Sequence, residues 1–188
     1  MTVTINGATG ETTPGTTFTG STSGTILVQA ASVAGTNTVT VAAQTGTLNV
    51  AGPAFSAYNL GNQTVTANVW TKIVFNTKTF DTNNNYDNTT NYRFTPTVAG
   101  YYQINALVYF TTANQNSYIQ LYKNGGSYLY GSSVTTGAGN ASTFANFSAV
   151  VYANGSTDYF EIYGNTGGTA ITGGSVVSNF SGCLIRGA

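Results

Sequence analysis

The sequence predicts an all-β protein, a single sandwich or jelly roll preceded by an extended β-rich arm. Short segments rich in β-branched and aromatic residues recur at roughly even spacing, with turn-forming residues between them, which is typical of such folds. No stretch has the spacing of apolar residues that an amphipathic helix requires. At 188 residues the chain is long enough for one domain with a sizeable core and an appendage.

The composition changes near Pro53, and this change predicts two regions, an arm over residues 1–52 and a domain over 53–188. Phe18 is the one aromatic residue and Glu11 the one charged residue before Pro53. The alternations "TVTI", "TILV", "TNTVTV" and "TLNV" suit strands, but without aromatic bulk they cannot form a core of their own. Two interpretations remain, a flexible low-complexity leader and an arm that becomes ordered on a partner subunit or lattice. The β-branched alternation favours the arm.

The region from Pro53 onward contains several predicted strands. Asn124 and Gly125 in "LYKNGGSYLY" predict a tight hairpin, because both residue types tolerate the positive φ angles that such a turn requires. The predicted strands are "VWTKIVF" (69–75), "YYQINALVYF" (101–110), "SYIQLYK" (117–123), "TFANFSAVVY" (143–152), "DYFEIYG" (158–164) and "GCLIR" (182–186).

The scarcity of charge excludes several classes of partner. Five Lys and Arg residues balance five Asp and Glu residues. The chain therefore lacks the basic stripe that a nucleic-acid binder or a polybasic membrane anchor requires, and neither partner is predicted. It has no apolar run long enough for a membrane span, and "MTVTINGATG" lacks the features of a secretory signal. We therefore expect synthesis in a cytoplasm.

No catalytic or cofactor-binding residue is predicted, and the chain is not expected to be an enzyme. The absence of histidine removes the usual general base and the usual zinc ligand. Cys183 lies in the apolar run "FSGCLIRG" and is predicted to be a small buried hydrophobic residue rather than a nucleophile. Asp158 and Glu161 are three residues apart in a predicted strand, which places them on opposite faces and argues against a shared acid pair.

The segment "FDTNNNYDNTT" (80–90) resembles a calcium-binding loop in one respect. Its Asp and Asn side chains fall at alternate positions between Asp81 and Asp87. A helix–loop–helix calcium loop also requires Gly at its sixth position and Glu at its twelfth, but these positions hold Tyr86 and Tyr92. No metal ligand is therefore predicted.

A dispersed series of residues from Phe75 to the end of the chain carries a resemblance to a known family. The residues of the series are Phe75, Asp81, Tyr86, Phe94, Gly100, Tyr102, Phe180 and Gly182. The series resembles the signature of the globular head of complement subcomponent q, which belongs with the tumour necrosis factor jelly rolls. Departures from the signature include Ile104 where Phe is usual and Ala106 in place of an aromatic residue.

The resemblance implies a homotrimer that acts by binding rather than by chemistry. It also places Asp81 and Tyr86 in a connection that runs into a strand, so the Asp and Asn cluster is interpreted as turn chemistry. Few charges and many tyrosines agree with a chain that buries much of its surface in assembly.

The arm adds a second, looser resemblance. "SGTILVQAASVAGTNTVTVAAQTGTLNV" resembles segments that precede such heads in structural proteins of tailed bacteriophages. This implies a virion protein made in the bacterial host cytoplasm, with itself and the major capsid protein or other virion subunits as partners. The favoured role is a head decoration (cement) protein, since the arm has no heptads or long repeats to form a shaft. The alternatives are the receptor-binding tip of a tail fibre, which would engage a host-surface receptor, and a non-viral bacterial surface adhesion trimer.

Overall fold

The chain divides into two units, Met1–Thr45 and Gly46–Ala188. In the first unit, strand β1 (Thr16–Thr19) pairs antiparallel with β2 (Thr25–Val28), which is the predicted "TILV" alternation. The other predicted alternations, "TVTI", "TNTVTV" and "TLNV", lie outside the described residues, and the proposed boundary after residue 52 stays a prediction. The computed structural model describes residues 16–19, 25–28, 52–111, 115–135, 137 and 142–188.

The described part of residues 52–188 forms strands and connecting loops. In chain order the strands are β3 (Ala54–Tyr58), β4 (Gln63–Thr64), β5 (Thr71–Lys72), β6 (Thr77–Asp81), β7 (Tyr86–Asp87), β8 (Arg93–Phe94), β9 (Ala99–Phe110), β10 (Asn116–Lys123), β11 (Gly126–Thr135), β12 (Thr143–Asn154), β13 (Phe160–Thr166), β14 (Ala170–Thr172) and β15 (Asn179–Gly187).

These strands form two sheets. The smaller sheet has the order β11-β10-β13-β8-β7, and β5 also pairs with β13. The larger sheet has the order β4-β14-β9-β15-β3-β6, and β12 pairs with β9. The two sheets pack face to face as a sandwich, and neither unit contains a helix among its described residues, which confirms the all-β prediction. In the described part of the chain, no helix is therefore long and apolar enough to cross a membrane.

The predicted hairpin between β10 and β11 is confirmed. Asn124 and Gly125 have φ angles of 56° and 78°, and Lys123 pairs with Gly126 across the turn. The positive φ angles match the right-handed twist of the flanking strands, which is why this residue pair forms the turn.

The strand predicted over 69–75 is longer than the observed one, because β5 covers only Thr71–Lys72. Its regular pairing ends at Val74, whose backbone N–H donates to the Gln63 side chain at 2.9 Å instead of to a neighbouring strand. A side-chain acceptor therefore replaces the strand ladder at this position, which the apolar alternation of the segment does not reveal.

The core lies between the two sheets and is built by strict alternation along the long strands. In β9 the residues from Tyr102 to Phe110 are buried at every second position, because successive side chains in a strand point to opposite faces. Strand β12 alternates in the same way. Each long strand of the larger sheet therefore supplies one side to the core and the other side to the surface.

Aromatic rings from both sheets meet around Phe55 on β3. Its ring lies 4.9 Å from Tyr86 and 4.3 Å from Phe94, both on the smaller sheet, and both contacts are stacked. On the larger sheet it meets the edge of Phe180 at 4.9 Å. Phe55 therefore lies at the centre of a cluster in which rings of the two sheets are in contact.

We expect Phe55→Ala to lower the free energy of unfolding by about 3–5 kcal/mol, because it removes a fully buried ring that the surroundings cannot replace. Phe80→Ala is a matched control, since its ring is 49% exposed, and should cost less than about 1 kcal/mol. Denaturant unfolding of both variants checks the prediction. Equal losses in the two variants would contradict the central role of Phe55.

Candidate functional site

The aromatic residues of the family signature come together in the core. Phe75, Tyr86 and Phe94 are buried with Phe55, and Phe180 contacts Phe75 at 5.6 Å and Tyr86 at 5.8 Å. The hydroxyl of Tyr86 donates to the backbone carbonyl of Phe75 at 3.0 Å. Burial raises the pKa of Tyr86 well above its usual range. These residues pack together in the core.

Tyr102 joins the same cluster from β9. Its ring lies 5.6 Å from that of Phe94, and its hydroxyl donates to the carbonyl of Val98 at 2.7 Å. Burial raises the pKa of Tyr102 to about 12, although the bond to Val98 acts in the opposite direction. The hydroxyl therefore stays protonated as a hydrogen-bond donor at neutral pH.

The two signature glycines lie where strands approach too closely for a side chain. A Cβ on Gly182 would lie 2.7 Å from the side chain of Ile104, and a Cβ on Gly100 would lie against the carbonyl of Arg186 and 2.7 Å from Leu184. Both glycines are on the core side of the larger sheet. Their role is packing, which spacing along the sequence alone does not show.

Asp81, the remaining signature residue, closes the turn after β6. One carboxylate oxygen accepts from the backbone N–H of Asn85 at 3.0 Å, and the other accepts from that of Tyr86 at 2.9 Å. Lys78 donates to the same carboxylate at 3.3 Å. This is the turn chemistry that the sequence indicates for the Asp and Asn cluster.

Asp87 closes a second turn in the same segment. It accepts from the backbone N–H groups of Thr89 and Thr90 at 2.9 and 3.0 Å with one oxygen, and from that of Asn91 at 3.0 Å with the other. These hydrogen bonds stabilise the charged carboxylate and hold the pKa of Asp87 well below its usual range, and the bond from the backbone of Thr90 has the largest effect. The two turns border an open pocket of about 410 Å³ with a mainly amide and hydroxyl lining.

The remaining carboxylates of the described residues pair with different lysines. Glu161 binds Lys72, and Asp158 binds Lys123 at 2.9 Å, so the two acids do not share a site. Desolvation favours the neutral form of Asp158, but hydrogen bonds from Asn124, Lys123 and a backbone N–H outweigh it, and the pKa is lowered. Within the described residues, no group of three or more His, Cys, Asp or Glu side chains could hold a metal ion.

Cys183 is exposed, and the prediction that it is a buried hydrophobic residue is wrong. It lies on β15 between the buried Gly182 and the half-buried Leu184. The apolar run "FSGCLIRG" indicated burial, but in a strand alternate residues face outward whatever their polarity.

The outward side of β9, β12 and β15 forms a continuous surface, which we call the open face. Rings pair across β9 and β12 at both of its ends, Tyr109 with Phe144 at 4.6 Å and Tyr101 with Tyr152 at 5.6 Å. The residues of the open face are Tyr101, Gln103, Asn105, Leu107, Tyr109, Phe144, Asn146, Ser148, Val150, Tyr152, Ser181 and Cys183.

The centre of the open face is a hydrogen-bonded polar cluster. The amide of Gln103 donates to the hydroxyl of Ser148 at 3.0 Å and to the side-chain oxygen of Asn105 at 3.1 Å. The hydroxyl of Ser148 also donates to Asn105 at 2.9 Å. The cluster satisfies these groups within the chain, so this part of the face can be covered at a lower desolvation cost.

None of the twelve residues of the open face is charged, but two cations border one end of it. Arg186 lies opposite Tyr101, and the ammonium of Lys123 lies 5.8 Å from the ring of Tyr152. Large apolar groups on the face, such as Val150 and Phe144, are exposed. A contiguous exposed surface with aromatic ends and few charges is typical of an interface with another protein. The arrangement supports association.

Solved structures share this fold. No protein-family profile and no curated protein sequence matches the chain. The zebrafish complement 1qA globular domain is 20% identical with a TM-score of 0.57, and the alignment covers 72% of this chain and 99% of that one. Murine APRIL is 7% identical with a TM-score of 0.55, covering 72% and 100%. The PRD1 vertex protein P5 is 16% identical with a TM-score of 0.52, covering 72% and 98%.

These comparisons establish the fold class. The domain is a jelly-roll sandwich of the kind found in the complement-q globular domain and in tumour necrosis factor-like proteins. At these identities the likeness concerns the fold and not the ligands or partners of the individual proteins.

Sequence reasoning did not find the polar cluster or the open face as a unit. The alternation of "YYQINALVYF" and "TFANFSAVVY" indicates which residues face outward in each strand. The pairing of Gln103 with Val150 and of Asn105 with Ser148 depends on register, which is set by the tertiary structure.

We expect the free energy of unfolding to be constant between about pH 5 and 7 and to fall below about pH 4. No histidine titrates in the upper range. The pKa values of Asp87 and Asp158 are lower in the folded state than in the unfolded state. The two carboxylates therefore contribute fully to the free energy of unfolding at a pH above their unfolded-state pKa, and this contribution is lost as the pH falls towards their folded-state pKa values. Thermal melts at fixed protein concentration from acid to neutral pH check this. In Asp87→Asn the loss of stability with falling pH should be smaller than in the wild type. An equal loss in this variant would show that Asp87 does not cause the acid dependence.

Proposed function

We propose that the protein is a structural component of a bacteriophage virion, a homotrimer that decorates the capsid and stabilises it. The observation that carries this proposal is the open face, which is broad, free of charge among its twelve residues and aromatic at both ends. Three copies joined through this face would bury the exposed rings and Val150 while leaving the smaller sheet outside. The role is binding and mechanical, and no enzymatic step is assigned.

The fold of a virion protein supports this proposal. The PRD1 vertex protein P5 has the same jelly roll, and the alignment covers nearly all of that chain. A virion location and partnership with the major capsid protein or other virion subunits follow as parts of the proposal. They agree with the resemblance of the Thr- and Gly-rich arm to segments that precede such heads in proteins of tailed bacteriophages.

The proposed attachment element is the arm over residues 1–52. Its alternations of Val, Ile and Leu with Thr can add strands to the edges of shell subunits. Ordering each residue costs roughly 1–2 kcal/mol in conformational entropy, so the shell must supply many backbone hydrogen bonds and buried side chains. Three arms on one trimer make this feasible, because after the first arm binds the others bind at high effective concentration.

The second candidate function is the receptor-binding tip of a tail fibre. It is favoured by a specific observation, the exposed aromatic side chains on the smaller sheet, which include Tyr130 at 71% exposure. In this arrangement the arm would attach the trimer to a shaft, and the smaller sheet would face outward. Gold-labelled protein over the whole head supports decoration, whereas label at the tail tip supports the fibre.

We expect Val150→Lys to convert the trimer to monomers at micromolar concentration. The substitution places an unpaired charge in the proposed interface, where desolvating it is costly. Val176→Lys is the matched control, because Val176 is 82% exposed and lies outside the open face. Sedimentation velocity measures the mass of each full-length variant, and a trimeric Val150→Lys protein would show that another surface joins the copies. The wild-type trimer should persist in molar salt, since few ion pairs are available to hold it.

We expect removal of residues 1–52 to leave a folded trimer that has lost nearly all affinity for capsids. The core residues described above all lie beyond residue 52, whereas the arm supplies the proposed contacts with the shell. Co-sedimentation with capsids of the source virus that lack the protein measures the affinity. Truncated trimers that still coat the capsids would identify the jelly roll as the anchor. Intact trimers that bind host cells but not capsids would favour the fibre tip.

A further inference from the structure

The outer surface of the smaller sheet differs in chemistry from the open face. Directly opposed residues of antiparallel strands project to the same side of a sheet. Gln120 on β10 is opposed by Tyr130 on β11 and by Tyr163 on β13, and Tyr122 lies two residues along β10 on the same side. We call the group the aromatic face, and its members are Trp70, Tyr118, Gln120, Tyr122, Tyr130 and Tyr163.

The rings of the aromatic face form two groups. The ring of Trp70 lies 6.0 Å from that of Tyr130 and 6.4 Å from that of Tyr118. Tyr122 and Tyr163 are stacked at 3.8 Å. Burial in this setting raises the pKa values of Tyr122 and Tyr163, so their hydroxyls are neutral at physiological pH. The face therefore offers ring surfaces together with neutral hydroxyl groups.

Polar groups lie between and beside the rings. Gln120 points outward but is only 1% exposed, and its amide donates to the hydroxyl of Ser127. Glu161 is 3% exposed and forms an ion pair with Lys72, whose ammonium also donates to the carbonyl of Asn91 at 3.2 Å. Because the two charges neutralise each other, this pair contributes no net charge to the surface.

The side chains at the outward positions of β10 and β13 indicate the kind of ligand. The open face includes Leu107 and Val150, as a protein interface requires, whereas the outward positions of β10 and β13 hold only aromatic, amide and carboxylate side chains. A sugar ring has a C–H surface, slightly positive, that packs on the negative face of an aromatic ring, and hydroxyls that exchange hydrogen bonds with polar neighbours. An uncharged glycan complements a surface whose Lys72 and Glu161 are already paired.

We propose that the aromatic face binds a neutral carbohydrate chain, with Trp70, Tyr118 and Tyr130 as one platform and the Tyr122–Tyr163 stack as another. The two platforms lie on the same sheet surface, so one oligosaccharide can contact both. The proposal holds for a trimer on a capsid and for one at a fibre tip, because in both cases the smaller sheet lies away from the open face.

The sequence contains a single tryptophan, Trp70, which provides a direct reporter of binding. Full-length protein is titrated with soluble neutral polysaccharides, namely dextran, mannan and laminarin, and with the acidic polygalacturonate as a comparison. We expect at least one neutral polysaccharide to change the tryptophan emission, and this response should persist in molar salt because no charge is involved. No response to any of the neutral polysaccharides would overturn the proposal. A response to polygalacturonate alone that is lost in salt would overturn it as well, in favour of electrostatic binding.

Variants then locate the site by calorimetry with the responding polysaccharide. Tyr130→Ala and Tyr118→Ala should each weaken binding about tenfold, as expected for the loss of a stacking ring. Phe80→Ala is the control, an exposed ring away from the aromatic face, and should bind as the wild type does. Sedimentation verifies that each variant keeps the wild-type assembly state. Wild-type affinity in the two Tyr variants would place the carbohydrate elsewhere and refute the assignment.

Discussion

The contact of Phe55 with rings from both sheets is the packing on which the rest of the domain depends. Phe55 stacks on Tyr86 and Phe94 of the smaller sheet and meets Phe180 of the larger one. The strands that carry Tyr86 and Phe94 contain only two residues each, so their position depends on this packing more than on their own ladder. Once these rings are fixed, the loops before and after them have defined end points.

The carboxylates of the described residues are engaged in turns and ion pairs within the chain. Asp81 and Asp87 accept backbone N–H groups within their own loops, and Asp158 and Glu161 are paired with lysines. The carboxylates of the described residues therefore serve local structure, and both broad faces of the sandwich are left with little net charge. A surface of this kind associates through area, ring contacts and neutral hydrogen bonds, which salt screens only weakly.

The two faces nevertheless differ in what they can bind. The open face combines exposed aliphatic and aromatic groups with the internally satisfied cluster of Gln103, Asn105 and Ser148, which suits contact with another copy of the chain. The aromatic face has rings and polar groups without aliphatic side chains, which suits a hydroxylated ligand. A trimer that uses one sheet for assembly would leave the other available, so the two proposals are compatible.

The sequence by itself determined the all-β class and the hairpin at Asn124 and Gly125. These features depend on local rules, namely φ preferences and the period of two along a strand. It also indicated that the Asp and Asn cluster around Asp81 serves turns, because the residue types for a calcium loop are missing at the decisive positions.

Only the tertiary structure decided which residues lie side by side on each face. The cluster of Gln103 with Ser148 joins residues of two strands that are far apart in the chain, and the platform around Trp70 joins a loop to two strands. The exposure of Cys183 was decided in the same way, because a local apolar pattern does not show which side of a strand is covered. The shortness of β5 also depends on tertiary structure, because the side chain of Gln63 replaces a neighbouring strand as the hydrogen-bond acceptor. Register and sheet order arise from the summed packing of distant segments, and a one-residue slip would exchange the two faces of a strand.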